Sequence, residues 1–246
     1  MRILLLDIET SPYTAYIWQL NQRWINPDNI IDSARILCWS AKWLGEDEVF
    51  FDSERNNLPE HYLSNIHKLM CKADAVVHYN GTKFDIPILN REFLLWGMKP
   101  PAPSKQVDLF KVVKQRFKFP SSSLNYISKA LKIGKKTPHK GFSLWTDCMK
   151  GDDTAWKHME EYNKNDVILL EQVYYKLLPW IRVHPNRSLE SSVLSCPNCG
   201  SESFQRRGFH RTATCTYQRY RCSNCGNWFR GGKSQAPTPE NRGVNV

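Results

Sequence analysis

The chain has 246 residues, 41% hydrophobic and 24% charged, the balance of an ordinary globular protein with room for one substantial domain and a small one. No apolar run approaches the about 18 residues that a membrane-spanning helix needs, and four apolar residues before Asp7 are too few for a secretory signal. The formal charge of +10 favours a polyanionic partner, because each neutralised phosphate releases counterions.

No membrane is therefore expected, and the expected compartment is the cytosol, bacterial or, for a viral protein, that of the host. The charge is uneven. Residues 1–187 carry 26 basic and 21 acidic side chains, while residues 188–246 carry 8 and 3, so about a quarter of the length holds half of the excess.

Residues 2–6 read as a buried strand, followed by a polar turn, Asp7 to Pro12, and a loop rich in Trp and Asn. Runs at 35–43 and 48–53, separated by Gly45, predict an antiparallel hairpin. Leu58 to Cys71 has helical spacing, with Leu63, Ile66, Leu69 and Met70 on one side. A strand at 75–80, a helix from Phe84 to Trp96 and a short strand from Val107 to Phe110 follow. Helical patterns then dominate, at 111–117, 123–132 and about 153–178. Strands first, then strands alternating with helices, predict an α/β fold whose mixed sheet is flanked by helices.

Composition changes beyond Pro185: serines cluster at 188–195 and the paired cysteines begin. A boundary is placed near 187, giving a main domain over 1–187 and a small module over 188–233. The tail over 234–246 lacks apolar content and is expected to be disordered.

Asp7 and Glu9 are two apart on one strand or its end, so both carboxylates point to one face. Burying such a pair costs several kcal/mol unless a cation neutralises it. Asp85 follows Asn80-Gly81, where a strand ends in a sharp turn and a helix starts; an acid there also suits a helix N-terminus. Tyr162 and Asp166 are four apart on the long helix, hence on one face. Each feature alone has a plain structural explanation. Together, LLLDIET, NGxxFD and YxxxD in this order resemble the DEDD 3′–5′ exonucleases, which have an RNase H-like fold. The likeness covers roughly residues 1–180. Tyr162 matches the tyrosine subclass; the histidine of the other subclass would fall at Glu161, and His158 is out of register.

The resemblance implies phosphodiester hydrolysis with two Mg²⁺ or Mn²⁺ ions. Asp7 would bridge both ions, with Glu9 and Asp166 on one and Asp85 on the outer shell of the other. Tyr162 would orient the attacking water, since a phenol of pKa about 10 is a poor base at neutral pH. The expected substrate is single-stranded or 3′-ended nucleic acid, DNA ahead of RNA. A structure-selective endonuclease on the same fold, or a nucleic-acid-binding protein recruited through its C-terminal module, would use many of the same residues. Asp108 is either a further acid of the site or a helix cap. Lys136, His139 and Lys140 either contact the nucleic-acid backbone or form a plain basic loop.

Cys38, Cys71 and Cys148 are isolated and read as buried thiols. Cys196, Cys199, Cys222 and Cys225 form two CxxC pairs 22 residues apart, a spacing for one structural zinc. Cys215 or His210 could replace one of the four. The stretch resembles the zinc ribbons of transposases and transcription-related proteins. Its arginines at 206, 207, 211, 219, 221 and 230 alternate with Phe209, Tyr217, Tyr220, Trp228 and Phe229. That pattern suits either nucleic acid, through phosphates and base stacking, or a tiny aromatic core with a protein partner outside it.

Overall fold

The residues Ile3–Thr10 form one continuous strand, β1, at the centre of a five-stranded sheet. The computed structural model describes residues 1–138 and 141–234. Its other main elements are β2 (Thr14–Ala15), β3 (Ile30–Asp32), β4 (Ile36–Trp43), β5 (Val49–Ser53), α1 (Pro59–Cys71), β6 (Ala75–His78) and α2 (Asp85–Leu95). There follow β7 (Lys105–Asp108), α3 (Leu109–Arg116), α4 (Leu124–Ala130), α5 (Ser143–Met149), α6 (Asp153–Leu177), and the C-terminal strands β8 (Phe204–Arg211), β9 (Thr216–Cys222) and β10 (Trp228–Ser234). No helix among the described residues is long and apolar enough to cross a membrane.

The chain packs as two compact units, Arg2–Val173 and Tyr174–Val246 with Met1. In the first, the sheet order is β5-β4-β1-β6-β7. β4 and β5 run antiparallel to their neighbours, whereas β6 and β7 are parallel to β1, so the sheet is mixed as expected. Strand alternation assigns the faces of β1. Leu4, Leu6 and Ile8 pack with Tyr62, Leu63, Ile66, Leu89 and Phe93 of α1 and α2. Asp7 and Glu9 therefore face the other side, where Cys38, Leu144, Cys148, Trp156, Met159 and Tyr162 form a second cluster. Full burial of a Leu, Ile or Phe side chain contributes roughly 1.5–3 kcal/mol. A few of them offset the several kcal/mol that buried carboxylates cost.

Lys42 of β4 and Glu171 of α6 form a buried ion pair at 2.6 Å. The other Glu171 oxygen accepts from the Gly45 N–H of the β4–β5 turn at 2.8 Å, so both of its oxygens tie α6 to the sheet.

Several elements differ from the sequence expectation. β1 runs on to Thr10 rather than turning at Asp7, because Asp7 and Glu9 pair with Ser40 and Cys38 of β4. β7 ends at Asp108, not Phe110. The Asp108 side chain accepts from the Phe110 and Lys111 N–H groups and starts α3 at once. The helix α5 and the short pair β2–β3 had no assignment. Cys71, expected to be buried, is exposed, because it falls off the stripe of Leu63, Ile66 and Met70. Ser234 closes β10 although the tail was placed from 234, and 235–246, like His139 and Lys140, lie outside the described residues.

Candidate active site and metal centre

Two adjacent same-face positions of β1 and one position of α6 make the acidic centre. Carboxylate oxygens of Asp7, Glu9 and Asp166 all lie within 4.8 Å of one another. Asp166 is 1% exposed. Asp85 stands beside this trio rather than in it. β1 pairs with β6 only over Ile3–Leu5, and one Asp85 oxygen accepts from the N–H of Ile8, between Asp7 and Glu9, at 3.1 Å.

The turn that delivers Asp85 is built differently from the sequence expectation. Asn80, not Gly81, takes the left-handed conformation, with φ of 67°. Gly81 is needed for closeness instead: a Cβ there would stand 2.5 Å from the His78 ring. Asp108 locks the same turn. It accepts from Asn80 N–H at 3.0 Å and from the Thr82 hydroxyl at 2.8 Å, and so serves as a brace and helix cap outside the acidic trio.

Four further residues surround the acids, of which the sequence had singled out only Lys136, and that as a contact to the nucleic-acid backbone or a plain basic loop residue. Asn163, fully buried, donates from Nδ2 to Asp7 at 2.7 Å. Trp145 donates from Nε1 to Glu9 at 3.1 Å, and its ring meets the Tyr162 ring edge-on at 5.9 Å. Lys136 donates to the Tyr162 hydroxyl at 3.0 Å and forms an ion pair with Asp166. Ser40, opposite Asp7 on β4, is buried alongside. Of the other three, Asn163 carried a usable clue, since it lies three residues before Asp166 on the same helix.

Electrostatics follow from this crowding. Burial, then the charges of Asp166, Asp85 and Glu9, push Asp7 well above the usual carboxylate range. Burial raises Glu9 to about 8 against the opposing pull of Lys136. Burial raises Asp85 to about 7, although its own and the Ile8 N–H donors resist. Burial and the neighbouring Asp166 and Glu9 push the Tyr162 phenol above its ordinary value.

A divalent cation fits such a site. Four acids face one ammonium, and the buried Oδ1 of Asn163 and Oγ of Ser40 make no protein hydrogen bond, leaving oxygen donors directed at the same region. All-oxygen donors suit Mg²⁺ or Mn²⁺.

A pH effect follows. Folded Glu9 keeps a proton up to about pH 8 that the unfolded chain releases near 4.5. A raised carboxylate pKa means that stability is lost as pH rises between these values. Glu9→Gln, which cannot ionise, should melt increasingly above the wild type as pH goes from about 5 to about 8 without divalent metal. Added Mn²⁺ should shrink the gap. A gap that narrows with rising pH in metal-free buffer contradicts the assignment.

In the second unit the four sulfurs of Cys196, Cys199, Cys222 and Cys225 also lie within 4.8 Å of one another. The Cys196–Cys225 and Cys199–Cys222 separations are both 3.6 Å. Tetrahedral zinc with about 2.3 Å bonds sets sulfurs about 3.8 Å apart, so zinc fits; a disulfide, at about 2.05 Å, does not. Gly200 and Gly226 close the two knuckles with φ of 75° and 80°. Asn227 and Asn224 donate to Cys196 and Cys199 at 3.8 Å. Burial opposes ionisation of Cys222, but the Cys225 and Asn224 N–H groups bring it down to about 7. Cys215 and His210 are not in the cluster.

The chain is similar in structure to the family B DNA polymerase from the hyperthermophilic archaeon Pyrobaculum calidifontis, with a TM-score of 0.51 and 19% identity. The match covers 72% of this chain and 24% of the polymerase, so the chain spans about a quarter of that protein's length. No curated protein matches its sequence. The family profile described as RNase_H superfamily matches residues 34–178, more than half of the chain, and that span carries Asp85, Tyr162 and Asp166 but begins after Asp7 and Glu9. By that match the chain belongs to the RNase_H superfamily.

Proposed function

We propose that the chain is a metal-dependent nuclease of the 3′–5′ exonuclease type, with Asp7, Glu9, Asp85 and Asp166 as metal ligands and Tyr162 as the water-positioning residue. The observation that carries the reading is the convergence of Asp7, Glu9 and Asp166 within 4.8 Å, with Asp85 bonded to the peptide between the first two. The 3′–5′ direction rests on the tyrosine-subclass pattern. When bound, a pair of Mg²⁺ or Mn²⁺ ions supplies an activated water and charge stabilisation at the scissile phosphate.

The protein's own residues hold the geometry for that chemistry. Asn163 fixes the Asp7 carboxylate and Trp145 fixes that of Glu9. Lys136 bonds to the Tyr162 hydroxyl, and a phenol shifted upward stays protonated at neutral pH. Tyr162 therefore orients water by hydrogen bonding and does not remove its proton. The substrate class is single-stranded or 3′-ended nucleic acid, DNA ahead of RNA. The catalytic domain is assigned to 1–187 and the zinc-holding ribbon to 188–233, with cytosolic action.

The test is digestion of 5′-labelled single- and double-stranded DNA and RNA with Mg²⁺ or Mn²⁺, next to a circular single strand. A ladder shortening from the 3′ end with the circle intact is expected; cutting of the circle would make the enzyme an endonuclease. Tyr162→Phe should lower turnover near the bottom of the about 10²–10⁴-fold range of acid–base effects. A loss equal to that of Asp166→Ala would contradict a positioning role.

A further inference from the structure

The three-stranded sheet β10-β9-β8 has two unlike faces, which the strand register separates. Residues directly opposite each other in antiparallel strands share a face. Phe229 stands opposite Tyr220, and these rings close on Phe204 with centroids 5.1, 5.4 and 5.7 Å apart. That face is the aromatic core.

On the other face, Trp228 stands opposite Arg221, and Arg230 opposite Arg219. The Arg219 guanidinium lies over Trp228 at 5.0 Å, and that of Arg230 over Tyr217 at 3.8 Å. Arg219, Arg221 and Arg230 are exposed, and Trp228 is 51% exposed. Among the described residues none of the three arginines forms an ion pair, and Glu202 is the only acid between residues 200 and 234. A hollow of about 270 Å³ is lined by Trp228, Arg219 and Arg230 with His210 and Phe229.

We infer that this face binds single-stranded nucleic acid, with bases stacked on Trp228 and Tyr217 and phosphates held by Arg219, Arg221 and Arg230. Arginines without an acidic partner, Arg219 bonding only to the Arg207 carbonyl at 2.9 Å, call for a polyanion. The exposed Trp228 ring among them, with the half-buried Tyr217 beside it, calls for one whose bases are free to stack, which paired bases inside a duplex are not. An acidic protein surface would answer the charge but leave the rings without a role. The inference rests on the nuclease reading only in taking nucleic acid as the polyanion.

The experiment uses the full chain with Asp7→Ala and Asp166→Ala, which prevents cleavage, and reads fluorescence anisotropy of a labelled oligothymidylate and of a duplex of equal length. Trp228→Ala should weaken single-strand binding about tenfold, as loss of one stacking site does, with Trp228→Phe restoring most of it. The duplex should be affected far less. Arg219→Gln with Arg230→Gln should flatten the slope of log affinity against log salt by about 1.4, at about 0.7 per phosphate on a single strand. Zinc content reports whether each variant keeps its ribbon; if Trp228→Ala loses zinc, the arginine pair, exposed and outside both the cysteine cluster and the aromatic core, decides. Unchanged single-strand affinity and slope in zinc-loaded variants overturn the inference, as does an equal loss for duplex and single strand. Cleavage by the wild type is scored separately, so a chain that binds but does not cut removes the nuclease reading and leaves this one.

Discussion

Asp7→Ala together with Asp166→Ala is expected to abolish most turnover while the fold survives. Stabilisation of the reacting phosphate by bound cations is worth several kcal/mol. At about 1.4 kcal/mol per tenfold, losing two of the ligands costs about 10³-fold or more. The same substitution should raise the melting temperature of the metal-free protein, because Asp7 is held in a protonated or repulsive state by burial and by Asp166, Asp85 and Glu9. Loss of both carboxylates also frees Asn163 and Lys136 from their partners, which limits the gain. Nuclease activity that survives in the double variant at the wild-type rate rules out the acidic centre as the catalytic site.

Loss of a zinc held by Cys196, Cys199, Cys222 and Cys225 is expected to have an effect of comparable size on the second unit. Binding of structural zinc by small modules contributes about 10–16 kcal/mol at neutral pH. Its three strands bury few side chains, chiefly Tyr220 and Cys222 with the flanking Phe204 and Phe229, too few to hold them without a metal. Cys222→Ser, or prolonged chelation, should therefore leave residues 204–234 open to proteolysis and the chain without zinc. Metal analysis of the wild type should give one zinc per chain. The first unit has its own core and should keep its thermal transition. A ribbon that stays protease-resistant without zinc would show that its aromatic cluster suffices.

The parts of the site legible in the sequence are those whose chemistry fixes both residue type and local spacing. A strand must place two carboxylates two apart to present them on one face, and a helix must place Tyr162 and Asp166 four apart. Thiolates in CxxC turns are equally constrained by the radius of the metal. The helix face that packs on the sheet could be read in the same way from Leu63, Ile66 and Met70.

What surrounds those residues was decided by tertiary structure. Trp145 reaches Glu9 across 136 residues, Asn163 reaches Asp7 across 156, and Lys136 reaches Asp166 across 30. No local pattern encodes such pairs, because a lone Trp, Asn or Lys suits many places and only the packing of α5, α6 and the segment before α5 selects one. Asp108 looked equally suited to the metal site and to a helix cap; two donors from the Asn80 turn gave it to the brace. In the ribbon, the alternation of arginine and aromatic residues was plain in the sequence, but not which rings were core. Strand register decided that: a shift of one residue would exchange Trp228 and Phe229 between faces, since successive side chains of a strand point to opposite sides.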